Sequence, residues 1–156
     1  MKVNFHSNLK SGSQSAIAHD LLQEKPYSAI TNNIEVCVWP EFVDRKVSAI
    51  GDLFIWAYHV RIANKSVDKI NIISRYWRII DECGNVQEIE GEGVVGEKPV
   101  IAPNASYQYS SGVHLKYPSG IMLGRYRVKN LSNGESYEIK IPSFSLDIPS
   151  ANRVLN

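Results

Sequence analysis

The sequence predicts an all-β domain of about seven strands arranged in two antiparallel sheets, and three observations predict it. Apolar residues recur with a period of two in short runs from residue 34 onward, as half-buried strands require. Clusters of Gly, Asn, Asp and Pro punctuate those runs at short intervals. No segment after residue 30 carries a long helical repeat, so alternating βαβ folds are excluded and a sandwich or barrel remains.

Residues 1–30 stand apart. Lys10-Ser-Gly-Ser-Gln-Ser15 is small and polar, and Ala16–Glu24 has length for only one or two helical turns, too few to be stable alone. The expectation is a flexible N-terminal extension over 1–30, the domain over 31–149 and a short tail over 150–156. Ile34, Val36 and Val38 form the first strand, which Trp39-Pro40 is expected to end. A longer strand covers Asp52–Ala63, with Phe54, Trp56, Tyr58, Val60 and Ile62 on one face. After a polar turn at Asn64–Lys69, the next strand spans Ile70–Asp81. Its apolar phase slips between Ile72 and Ile73, which predicts a bulge.

Asp81–Asn85 reads as a hairpin turn into a short strand, Val86–Glu90. Pro99 and Pro103 keep the following stretch irregular. Ser106–Ser110 turns Tyr107 and Tyr109 inward, and Gly120–Lys129 aligns Met122, Tyr126 and Val128, with Gly124 leaving room for a large neighbour. Asn133-Gly134 signals a type I′ turn. The last strand, Glu135–Ile148, changes phase at Pro142, where a second bulge is placed.

Composition narrows the function. The 156 residues are 44% hydrophobic and 21% charged, with a formal net charge of +1. Such balance argues against a general DNA-binding protein, which carries a large basic excess. No run approaches the roughly 20 apolar residues of a bilayer span, and Met1–Glu24 lacks the apolar core of a signal peptide. A cytoplasmic protein without membrane insertion is expected, with Cys37 and Cys83 as reduced thiols.

Gly91-Glu-Gly93-Val-Val-Gly96 matches a dinucleotide-binding fingerprint letter for letter. That fingerprint works because its turn opens a helix whose N-terminus holds the pyrophosphate. Here Pro99 and Pro103 follow, which forbids a helix, so NAD and FAD binding are rejected and no cofactor is assigned. Two uses of the glycines stay open. They could allow a tight crossover between sheets, or their amides could cradle an anion with Lys98 and Arg75 as charge partners.

Ser74-Arg-Tyr-Trp77, Gly91–Glu97 with Pro99, Tyr109-Ser-Ser-Gly112, Gly120-Ile-Met122 with Gly124 and Tyr126, and Ile141-Pro-Ser-Phe144 with Leu146 follow one another in an order and spacing that resemble the ApaG family. The resemblance runs over roughly residues 33–148. It implies a fibronectin-III-like, immunoglobulin-type sandwich with no established catalysis. It also implies a link, through mutant phenotypes, to cobalt and magnesium efflux or resistance. Similar domains in F-box proteins and a DNA-polymerase-δ-interacting protein look like interaction modules, and pyrophosphate or nucleotide binding has been suggested at the glycine loop. Tyr76 stands where the family commonly has histidine, and Lys98 where it has glutamine.

The catalytic candidates are thin. None of His6, His19, His59 and His114 has a neighbouring partner in sequence. Glu88, Glu90 and Glu92 alternate on one strand face and could hold magnesium, but a solvated acidic face is the commoner reason for such a pattern. Arg75 shares the face of Trp77 and Ile79. A guanidinium there must be paired, stacked on an aromatic ring or at the mouth of a pocket: either it recognises a carboxylate or phosphate, or it makes an internal salt bridge to Glu90 or Glu92 or lies past the bulge at the sandwich edge. The reading that follows is a non-enzymatic interaction domain for a protein partner. A binder of a phosphate-containing molecule is the alternative, and a metal-dependent phosphohydrolase comes last. Free strand edges would permit a homodimer.

Overall fold

The computed structural model describes residues 25–149, and among them there are nine strands and no helix. β1 (Tyr27–Thr31), β2 (Ile34–Ser48), β3 (Gly51–Asn64) and β7 (Ser106–Leu115) form the first sheet, in the order β1-β2-β3-β7. The second sheet contains β5 (Val86–Glu92), β4 (Ile70–Asp81), β8 (Ser119–Asn130) and β9 (Ser136–Asp147), in that order. β6 (Val100–Ile101) also pairs with β4. All pairings are antiparallel. The architecture is the expected immunoglobulin/fibronectin-III-like sandwich.

The core lies between the sheets, because alternate residues of each strand point inward. Phe54, Trp56, Tyr58, Val60 and Ile62 are all buried, as the alternation of β3 predicts. The sheets meet through aromatic rings. Tyr58 of the first sheet lies 5.1 Å from Trp77 of the second, and Trp77 meets Phe144 edge to face at 5.9 Å. Gly124 lies opposite Trp77 in the ladder, and a Cβ there would stand 2.2 Å from the Tyr76 carbonyl oxygen and 3.1 Å from the indole. The glycine is therefore required by close packing.

Both predicted bulges are present. The register shifts between Ile72 and Ser74, and again opposite Pro142, between Met122 and Gly124. Four expectations need correction. Tyr27–Ile30, placed in the extension, belong to β1, whose ladder with β2 runs from Tyr27 opposite Val38 to Thr31 opposite Ile34. Residues 1–24 and the tail 150–156 lie outside the described residues. Pro40 does not end β2, which continues to Ser48. β1 begins opposite Val38, so Pro40 lies beyond it, where a missing N–H breaks no ladder on that side.

Asn133-Gly134 is not a type I′ turn. Only Gly134 has positive φ (76°), and the loop closes through Gly134 N–H donating to the Asn130 carbonyl at 2.8 Å. The glycine loop makes no crossover between sheets either, since it joins β5 to β6 within the second sheet. The return to the first sheet that follows runs through residues 102–105, anchored by Asn104 N–H on the Asn64 carbonyl (2.8 Å).

The two long sides of the sandwich differ. On one, β1 lies against β9, and Lys140 N–H donates to Thr31 Oγ1 at 3.1 Å. On the other, β7 and β5 are edge strands, and the glycine loop lies between β5 and β6.

Candidate functional site

The glycine loop is built around Arg75. Arg75 and Gly91 are cross-strand partners, and the guanidinium rests on the glycine, where a Cβ would stand 2.8 Å from Nη1. Nη1 donates to the carbonyls of Glu92 (3.1 Å) and Gly93 (3.0 Å). Arg75 is thus paired internally, but with the backbone carbonyls of Glu92 and Gly93 and not through the expected salt bridge to Glu90 or Glu92. Next, Gly93 N–H donates to the Ile73 carbonyl at 2.7 Å. Val94 and Glu97 exchange two backbone hydrogen bonds of 2.8 and 2.9 Å, closing a two-residue turn with Val95 at φ 44° and Gly96 at φ 80°. A β-branched residue in that region is strained.

The remaining charges of the loop also face one another. Lys98 pairs with Glu92, and this ammonium holds the Glu92 carboxyl below its ordinary range. Tyr107 of β7 donates its hydroxyl to Glu97 at 2.8 Å, tying the loop to the first sheet. Burial, followed by the Glu97 acceptor, pushes the Tyr107 phenol up to about 12. Arg75 further lies close enough to Tyr58, Tyr109 and Tyr126 to stabilise their ionised forms. Burial outweighs it and raises all three phenols, and the hydroxyls of Tyr109 and Tyr126 bond to each other inside the sandwich.

Glu88, Glu90 and Glu92 do share the outer face of β5, and all three are exposed. Glu88 accepts the Tyr76 hydroxyl at 2.8 Å, the Arg125 guanidinium lies 4.1 Å from the Tyr76 ring centre, and Arg125 pairs with Glu138 at 3.3 Å. Among the described residues no group of three or more His, Cys, Asp or Glu is placed to share a metal ion.

Sequence reasoning missed three features. The first is a chain of bonds on the outer face of the first sheet. His59 Nδ1 meets Ser110 Oγ at 2.6 Å and Nε2 meets Glu41 at 2.8 Å. His59 and Ser110 are cross-strand neighbours 51 residues apart, so no local motif announces them. The set has the members of a nucleophilic triad, but an oxyanion needs aimed donors. Backbone N–H groups in a ladder lie in the plane of the sheet, not above its face.

The second is a polar depression of about 430 Å³ at one end of the sandwich, lined by Asn33, Lys65, Asp68, Asn130 and Glu135 among others. None of the nominated residues lines it. Beneath it Asn64, 1% exposed, is fully bonded to Ser66, Asp68 and Ile101.

The third is an arm. Past a bulge at Val43, β2 and β3 run on as a hairpin whose residues 43–51 are all exposed. Arg45 pairs with Asp52 (Nε–O 3.0 Å) and lies 5.4 Å from the Phe54 ring centre, which stiffens the base. At the tip Ile50 is 100% exposed and Val47 74%. The signal available in the sequence was the apolar set Val43, Val47 and Ile50, in a stretch whose strand was expected to have ended.

Among the described residues no helix is long and apolar enough to cross a membrane. Comparison with known proteins agrees with the fold. Residues 46–130 match the ApaG domain model. Protein ApaG of Brucella suis biovar 1 (strain 1330) is 48% identical over 130 residues, covering 83% of this chain and 99% of that protein. Protein ApaG of Methylocella silvestris is 45% identical over the same shares. Two solved structures superpose well. The structural-genomics target SoR45 gives a TM-score of 0.75 at 35% identity, covering 82% of this chain and 96% of that one. The structure described as a putative ApaA protein from Bordetella pertussis gives 0.71 at 36%, covering 81% and 98%. With the domain model and near-full-length relatives in agreement, this chain belongs to the ApaG domain family.

Proposed function

We propose that the domain is a non-enzymatic interaction module of the cytoplasm, which engages a protein partner through the β2–β3 arm. The observation that carries this reading is the apolar surface of that arm, with Ile50 wholly exposed at the tip, Val47 74% exposed near it and Val43 55% exposed at the bulge where the arm begins. Aliphatic side chains grouped on a projecting, internally braced hairpin gain roughly 25 cal/mol per Å² when a partner covers them. Any connection with cobalt or magnesium efflux would then be indirect, through the partner. The test compares two baits in cell extract, the full chain and its Val47→Asp/Ile50→Asp variant. A partner held by the first should be depleted roughly tenfold on the second, the equivalent of about 1.4 kcal/mol, with unchanged melting temperature. Identical retained sets would remove the arm from the reading.

A second reading is a phosphate-containing ligand at Gly91–Gly96 with Lys98 and Arg75. Its support is that Lys98 is half-exposed and paired with a still more exposed carboxylate, Glu92. Such surface pairs exchange partners at little cost. Pyrophosphate or ATP, alone and with magnesium or cobalt, should raise the melting temperature in this case, and Lys98→Ala should abolish the rise. A metal-dependent phosphohydrolase using Glu88, Glu90 and Glu92 is the weakest reading. Each of the three is solvated, and Glu88 and Glu92 already have partners.

A further inference from the structure

β5 ends its sheet, and the sandwich core stops short of it. Ile89 lies opposite Trp77 in the β4–β5 ladder and so shares its inward face, yet Trp77 is 1% exposed and Ile89 36%. Every residue of Val86–Glu90 is exposed. Two bonds fix the direction of the backbone. Gly93 N–H donates to the Ile73 carbonyl (2.7 Å), and Asp81 N–H donates to the Asn85 carbonyl (3.0 Å), so odd-numbered residues on this side of the ladder bond to β4. Bonding alternates along an antiparallel strand. The N–H and C=O groups of Val86, Glu88 and Glu90 therefore point to the open side, where among the described residues no strand lies. The next carbonyl of that set, Glu92, already accepts from Arg75 Nη1 (3.1 Å), so the open edge runs over Val86–Glu90.

We infer that this edge accepts an extended segment of another protein as an added strand, one with lysine or arginine at every second position and apolar residues between. The open edge supplies the bonds, and the carboxylates choose the occupant. The residues whose backbone faces outward are the same ones that carry Glu88 and Glu90 on the outer face. In a hydrogen-bonded antiparallel pair, directly opposed side chains share a face. An added strand therefore sets every second residue against these carboxylates. On the β4 side Glu88 has Arg78 opposite and accepts the Tyr76 hydroxyl, whereas the open side holds no cation from a neighbouring strand. The intervening residues of the occupant fall beside Ile89, where apolar side chains extend the core over it. A second copy of β5 does not fit, because antiparallel self-pairing over Val86–Glu90 sets Glu88 directly against Glu88. The strand has no proline, lysine or bulge to block a foreign segment. The inference rests on the interaction-module reading and adds a second contact, on the sheet opposite the β2–β3 arm.

Three peptides of the length of β5, 7 residues, test the inference against the full chain. The first alternates lysine and valine, the second gathers the same lysines into one block, and the third alternates glutamate and valine. By fluorescence anisotropy the alternating basic peptide should bind roughly tenfold tighter than the block peptide and more weakly as salt rises, and the acidic peptide should not bind. Equal binding of the two basic peptides overturns the inference, since charge alone would then suffice. Glu90→Gln and Glu90→Pro separate backbone from side chain, because both remove the carboxylate and only proline removes the outward N–H. Proline should weaken binding severalfold beyond glutamine, and equal losses overturn strand addition. A measurement on the unaltered chain does not depend on either variant folding. Amide exchange at Glu88 and Glu90 should slow when the alternating peptide binds, while Gln87 and Ile89 are protected by β4 beforehand. Protection confined to other strands overturns the proposal, as does dimerisation through these same amides without peptide. Val47→Asp/Ile50→Asp should leave the peptide affinity unchanged, so that failure of the arm reading is told apart from failure of this one. Loss of peptide binding in that variant would assign the peptide to the arm and overturn the inference.

Discussion

The glycine loop and the hairpin arm invert what their sequences advertise. Residues 91–98 carry a near-perfect nucleotide-binding pattern, yet their groups are turned on each other. Arg75 serves the carbonyls of Glu92 and Gly93, Lys98 serves Glu92, and Tyr107 serves Glu97. Residues 43–51 carry no motif, yet they present aliphatic side chains to water. Glycine spacing records where the backbone needs room or positive φ, and ligand sites are only one cause of that need. Exposed apolar groups are costly to keep in water and so point more directly at an interface.

The sharpest break of this comparison is Gly93→Ala. A Cβ there would lie 2.0 Å from the Glu97 carbonyl oxygen at a φ of 60°. Both penalties fall on backbone that cannot step aside, so a loss of roughly 3 kcal/mol is expected, or about 10 °C in a thermal melt. A near-neutral outcome would mean the loop is loosely held and free to receive a ligand. Next is Arg75→Ala, which removes two charge-assisted bonds from the loop and should cost about 2 kcal/mol in urea unfolding. Amide exchange at Gly93, bonded to Ile73, should quicken with it.

A pH experiment is gentler. The Tyr107 phenol is raised in the folded chain to about 12 from its ordinary 10.0. A group with a raised folded value contributes its full stability below the unfolded value and loses it as pH climbs toward the folded one. Unfolding free energy should therefore fall between pH 10 and 12, less steeply in Tyr107→Phe. Equal slopes would show that the bond to Glu97 does not hold the loop. The smallest effect belongs to the arm, where Val47→Ser/Ile50→Ser should change stability by no more than about 0.5 kcal/mol. A larger loss would mean that the tip packs on the domain and is not free for a partner.

Legibility followed the range of the interaction involved. The inward set of β3, the bulge at Ile73 and the phase change at Pro142 are local patterns and were readable as such. The placement of Arg75 with Trp77 was readable too, but its partners were not, because the carbonyls of Glu92 and Gly93 carry no sequence identity. The continuation of β2 past Pro40 was hidden for a related reason. Whether a proline breaks a strand depends on which neighbour lies beside it, and β1 stops short of that position.

By itself the sequence determined the all-β class, the sandwich core and the ApaG kinship. Period-two burial and turn chemistry act between neighbours along the chain, and a set of motifs in fixed order survives without coordinates. Tertiary structure alone decided which charges were already engaged, which aliphatics were left in water, and that His59 would meet Ser110 and Glu41. Those outcomes depend on strand order and register across sheets, and residues 51 apart in sequence become neighbours only once the ladders have formed.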